Sequence, residues 1–139
     1  MQYFKSPFHA NLPVITVGAS NSPRREMADY KCNGTRDHLQ VQRAINEVSA
    51  NGGGTVWLMA GDYYFEFENV GWTHGTTDEY YSVSVPSNVM VCGEGSATKV
   101  HAVIDASTTA YNKGGLFMIK NSQYAGVRDL MIIGVPSSS

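Results

Sequence analysis

The chain has 139 residues, 42% hydrophobic and only 16% charged, with 10 Lys and Arg against 12 Asp and Glu for a net charge of −2. That length suits one domain around a single core, and a sequence pI near 6.0 gives no electrostatic case for nucleic acid. The opening residues, MQYFKSPFHANLPVITVG, hold no long apolar run behind a basic region, so neither a secretory leader nor a membrane span is expected there.

Residues 1–11 read as an irregular arm, because Pro7 and the lack of periodicity around Tyr3, Phe4 and Phe8 argue against a regular element. The three aromatics either pack on their own domain or anchor the arm to a partner. Residues 12–17, LPVITV, read as a strand, with Pro13 favouring a sheet edge. A loop with Arg24 and Arg25 in a solvated turn follows. Cys32 and Cys92 are too few for a disulfide framework and lack the clustered spacing of a zinc site. Two free, packed thiols are the favoured reading, and a Cys32–Cys92 bridge is the alternative, since sequence reports no distance.

The clearest element is a helix over residues 38–50. Val41, Ala44, Ile45 and Val48 mark one buried face at helical spacing. Asp37 is the expected N-cap, with Gln40 reaching back in a capping box. Gly52 and Gly53, after Asn51, supply the stop. Strands at 55–59 and 63–65 flank a turn at 60–62.

Residues 66–79 form a polar stretch with no period, expected to be a long loop. Trp72, His74, Asp78 and Glu79, with Tyr80 after them, are the candidate ligand-binding residues; oxygen ligands suit calcium, but the spacing matches no calcium loop, so no metal site is assigned. From Tyr80 on, short strands recur at 81–85, 88–92, 99–104, 116–120 and 127–133. Gly93 and Gly95 turn one strand into the next, and residues 105–115 make a second loop. Strand, strand, long loop, strand thus occurs twice. A repeated unit that cannot bury its own apolar face implies stacking, hence a solenoid of β-coils.

Residues 28–65, then VPSNVMVCGEGSATKV, then FMIKNSQYAGVRDLMIIG together resemble the N-terminal coils of the pectate-lyase-like superfamily of right-handed parallel β-helices. Residues 86–95 are similar to its PSNVTLxGxG turn, and residues 121–134 to its NSxNVTIRDLTIDG coil. The resemblance is particularly close to bacteriophage tail fibre and tailspike proteins. It implies an all-β solenoid, a right-handed parallel β-helix of two to three coils, with one N-terminal capping α-helix. Val56, Leu58, Val89, Val91, Val127, Leu130 and Ile132 would point inward, and Trp57 and Met90 outward. Where the family has two acidic residues before the helix, this chain has Arg36 and Asp37.

Domain organisation follows: an arm and first strand over 1–17, helix and coils over 18–134, and a polar tail over 135–139 leading into further coils, an identical subunit or another protein. The function implied is a structural virion module, assembled in the host cytoplasm, that contacts other virion proteins and forms homo-oligomers, with a trimer favoured. The alternatives are a polysaccharide lyase or hydrolase and a non-catalytic glycan-binding module acting on host-surface polysaccharide. Arg128 and Asp129 are the weak catalytic candidates, and the reading assigns no catalytic set, cofactor, nucleic acid or membrane.

Overall fold

The fold is described over residues 2–5, 11–74, 77–103 and 113–134 of a computed structural model, and its side chains over the same residues apart from 2–5, 11, 68–74, 77–79 and 113–114. Strands β1 (Gln2–Lys5), β2 (Asn11–Gly18) and β3 (Tyr30–Lys31) precede helix α1 (His38–Ala50). Then follow β4 (Gly54–Leu58), β5 (Gly61–Glu66), β6 (Glu68–His74), β7 (Thr77–Ser84), β8 (Val89–Cys92), β9 (Thr98–Val103), β10 (Lys113–Met118), β11 (Gly126–Arg128) and β12 (Met131–Ile133). One sheet runs β1-β2-β4-β8-β11 with β3 beside β2, a second β5-β9-β12, and a third β6-β7-β10.

The recurrence seen in the sequence is real. Strands β4, β5 and β7 are followed by β8, β9 and β10 on the same three sheets, each parallel to its predecessor. Gly54 pairs with Val89, Tyr63 with Val100, and Tyr81 with Gly115. The architecture nevertheless corrects the all-β solenoid. The fold is mixed α/β, and its sheets are neither closed nor curled as the sheets of a right-handed parallel β-helix are. Two strand pairs, β1 with β2 and β6 with β7, are antiparallel, and α1 contributes four core side chains instead of sitting outside an all-β core. Sequence recurrence reports which strands are equivalent; it does not report how sheets meet.

The helix has the expected bounds, and Val41, Ala44, Ile45 and Val48 are fully buried. It ends as a Schellman motif. Gly53 N–H donates to Val48 O at 3.0 Å and Gly52 N–H to Ser49 O at 3.1 Å, while φ values of 92° and 111° put both glycines in the left-handed region. At the other end Asp37 holds the cap position, but its carboxylate accepts nothing from the helix. Gln40 N–H reaches the main-chain oxygen of Asp37, and the expected capping box does not form.

The core alternates as strands require. Ile15 and Val17 of β2, Val56 and Leu58 of β4, Val89 and Val91 of β8, and Tyr63 and Phe65 of β5 are all fully buried. Trp57 and Met90, expected outward, are half-buried. The Tyr63 hydroxyl lies 2.9 Å from Val17 O and 2.7 Å from Met59 O, which satisfies the one polar atom of a buried ring. Cys32 and Cys92 are both free and buried. Burial and then the nearby Asp37 carboxylate push the Cys32 thiol up to about 12, so it stays protonated and unreactive at neutral pH.

Local expectations need correction in four places. Part of the arm is regular: residues 2–5 pair antiparallel with β2, Tyr3 opposite Pro13 and Phe4 opposite Leu12. Pro13 therefore lies on an inner strand, not an edge; the parallel ladder to β4 begins only at Val14, so the missing N–H is not needed on that side. The polar stretch 66–79 is mostly an antiparallel hairpin, β6 against β7, and not a long loop. Finally, residues 127–133 are two strands, because Asp129 at φ 58° breaks the run between β11 and β12. That break lets Gly93 N–H reach Arg128 O and Gly95 N–H reach Asp129 O. A Cβ at position 93 would lie 2.5 Å from Asp129 O, and Gly95 has φ 67°, so both glycines have the structural role assigned to them.

Candidate functional site

The two ends of the fold treat their strand edges differently. At one end α1 takes the place of a strand. Asp37 Oδ2 accepts Tyr64 N–H of β5 at 2.9 Å, and Asp37 N–H donates to Tyr64 O at 2.9 Å. His38 Nδ1 accepts Glu66 N–H at 3.2 Å. Gln42 pairs with β7 at both poles of one residue, its Oε1 accepting Ser84 N–H at 2.8 Å and its Nε2 donating to Ser84 O at 3.1 Å. These contacts satisfy main-chain groups that would otherwise template pairing. Strand β1 covers the corresponding side of β2.

The other end is open. Strands β10, β11 and β12 are last in their sheets, each paired on one side to β7, β8 or β9 and, among the described residues, to nothing on the other. A groove of about 720 Å³ lies there, lined by Phe67, Leu116, Phe117, Val127, Leu130 and Ile132. Val127 pairs with the buried Val91 and Ile132 with the buried Val100, so both follow core positions in register. Val127 is half-buried against the core, whereas Ile132 is exposed. Ile132 is 55% exposed, and Ile119 and Met131 add 46% and 41%. Of these, Ile119 and Ile132 line the groove, and exposed apolar side chains gathered in a groove mark interaction surfaces.

The structure places the sequence-derived site residues as follows. Arg128 and Asp129 border this groove; Arg128 Nε is 3.7 Å from Asp129 Oδ2, with both side chains more than half exposed. Their main-chain oxygens hold the turn at Gly93 and Gly95, so the pair does visible structural work. Trp72, His74, Asp78, Glu79 and Tyr80 all fall on the β6–β7 hairpin, with Trp72 opposite Glu79, Thr73 opposite Asp78 and His74 opposite Thr77. The side chains of the first four lie outside the described residues. Tyr3 and Phe4 belong to β1, and Phe8 is outside the described residues.

One polar constellation escaped the sequence reading. His101 Nε2 on β9 is 2.7 Å from Asp62 Oδ1 on β5, and Tyr64 stacks on the imidazole at 4.7 Å and 13°. Asn21 completes it, donating from Nδ2 to Asp62 Oδ2 at 2.7 Å while its Oδ1 accepts Asp62 N–H at 2.8 Å. The partners are 39 residues apart and meet only through parallel register, which no local spacing rule reports. The bond to His101, then that to Asn21, holds the Asp62 carboxyl below its ordinary 3.8. A carboxylate depressed by folding contributes stability above its unfolded pKa, and that contribution disappears as pH falls through the folded value. The Asp62 carboxyl carbon is therefore expected to titrate below 3.8 in an NMR pH series, and His101→Ala to move its midpoint upward; an unmoved midpoint would show that the contact is not the cause.

Among the described residues no group of three or more His, Cys, Asp or Glu is placed to hold a metal, and no helix is long and apolar enough to cross a membrane. Comparison with protein-family models, curated proteins and solved structures finds no match to this chain.

Proposed function

We propose that this chain is a structural assembly module of a virus particle, a component of a phage tail fibre, tailspike or related minor structural protein. The observation that carries the reading is the end formed by β10, β11 and β12, each last in its sheet and, among the described residues, paired on one side only, beside exposed Ile119, Met131 and Ile132. The occupants of the open end are further virion polypeptide or identical copies, a trimer being the favoured closed form. The resemblance of residues 121–134 to phage structural proteins supports a particle location.

The test is assembly state. Analytical ultracentrifugation of the intact protein is expected to show association, and Ile132→Lys to abolish it while the circular dichroism spectrum stays unchanged. Equal association by the variant, or a purely monomeric parent, would overturn the assignment. Immunogold electron microscopy of particles is expected to place the chain at the tail.

A second reading, a polysaccharide lyase or hydrolase, has one observation in its favour. Asp62 orients the His101 imidazole as a general base needs. Incubation with a glycan panel, with and without calcium, distinguishes it by shortened or unsaturated products.

A further inference from the structure

The face of α1 turned away from the core, and the segment leading into it, carry a feature unrelated to assembly. Lys31 of β3, Asn33, Thr35 and Arg36 of the connecting turn, and Gln40 and Arg43 of α1 line a cavity of about 290 Å³. Gln40 and Arg43 stand three residues apart and so project from one side of the helix. Leu39 is the remaining lining residue, and no carboxylate is among them. Three of the chain's 10 Lys and Arg meet here, although the chain as a whole carries a net charge of −2. Composition alone would not concentrate cations and neutral amide or hydroxyl donors in this way.

Of the neighbouring carboxylates, Asp37 is engaged elsewhere. Asp37 turns both oxygens to Gly34 N–H and Tyr64 N–H, and its negative charge at the start of α1 removes the helix terminus itself as an attractor for anions. Glu66 lies 3.9 Å from Arg36 Nε in an exposed, weakly held pair. Lys31 gives one hydrogen bond to Ala28 O and keeps two further donors. Asn33 uses its Oδ1 to accept Thr35 N–H, which leaves its amide N–H groups for a ligand.

We propose that this pocket binds a tetrahedral oxyanion, a phosphate or sulfate group either free or esterified to a larger molecule. Planar guanidinium forks and an ammonium around a small cavity match such an anion through charge-assisted hydrogen bonds. The volume is at the small end for ligand sites and holds one such group with room to spare.

The experiment is an NMR titration of the intact protein, following Arg side-chain N–H signals, with inorganic phosphate, inorganic sulfate and glucose 6-phosphate against sodium chloride at matched ionic strength. A saturable shift with phosphate or sulfate and none with chloride is expected. Loss of one charge-assisted contact in Arg43→Gln should weaken binding about tenfold. Gln40→Glu, which keeps the helix and introduces repulsion, should abolish it. Glucose 6-phosphate binding as tightly as phosphate would support an esterified ligand, and weaker binding a free one. Identical shifts with chloride, or unaltered affinity in both variants, would overturn the proposal.

Discussion

Replacing Phe65 with alanine is expected to cost about 4 kcal/mol, the upper range for emptying an aromatic core position. The ring is fully buried on β5, edge-on to His38 of α1 at 6.2 Å and tilted against Phe117 of β10 at 5.6 Å. It therefore joins the blocked end to the open one across the middle of the core. The packing on both sides leaves little freedom for collapse into the space created. Against a typical domain stability of about 5–15 kcal/mol the loss is severe. Equilibrium urea unfolding monitored by circular dichroism measures it, and Phe65→Leu should recover more than half. A loss under about 1 kcal/mol would mean that the ring does not bridge the two ends.

The second large effect is at Asp37. A residue acting only as an N-cap costs about 1 kcal/mol when changed to alanine. Here the carboxylate is buried and accepts two main-chain hydrogen bonds, from Gly34 N–H and Tyr64 N–H, neither belonging to the helix. Leaving two part-buried donors unsatisfied costs up to about 1–3 kcal/mol each, partly offset by no longer burying a charge and by access of water, so about 2 kcal/mol is expected for Asp37→Ala. Asp37→Asn keeps one acceptor oxygen and should lie between. Hydrogen exchange separates the two roles: Tyr64 N–H should lose protection in Asp37→Ala, whereas a cap-only role would leave it protected.

Much of this fold is legible in the residues themselves. The helix is announced by Val41, Ala44, Ile45 and Val48 and stopped by Gly52 and Gly53, because helical burial and left-handed backbone are both local demands. Inward positions such as Val56, Leu58, Val89 and Val91, which the resemblance implies, are buried in alternation as strands require. What local reading misses is set by distant partners. Apolar alternation reports burial, so the β6–β7 hairpin passed for a loop, its main-chain pairing carrying no such signature. The break at Asp129 depends on a left-handed residue other than glycine, held by bonds from Gly93 and Gly95. The cap at Asp37 was placed correctly, but its chemistry answers to β5, a strand still to come in the chain. The Asp62–His101 pair needed the sheet register before it could be found. The closed all-β coil was an extrapolation from recurrence, and recurrence holds without closure.

The blocked end also has a bearing on how the chain acquires its structure. In every parallel pair among the repeating strands, the earlier partner lies toward the α1 side: β8 rests on β4, β9 on β5, β10 on β7, β11 on β8 and β12 on β9. On a ribosome the surface awaiting each new strand has thus already been made. Each of β8, β9, β10, β11 and β12 adds to a strand synthesised before it. Folding can advance in the direction of synthesis, with α1 preventing wrong strands from adding behind the advancing front.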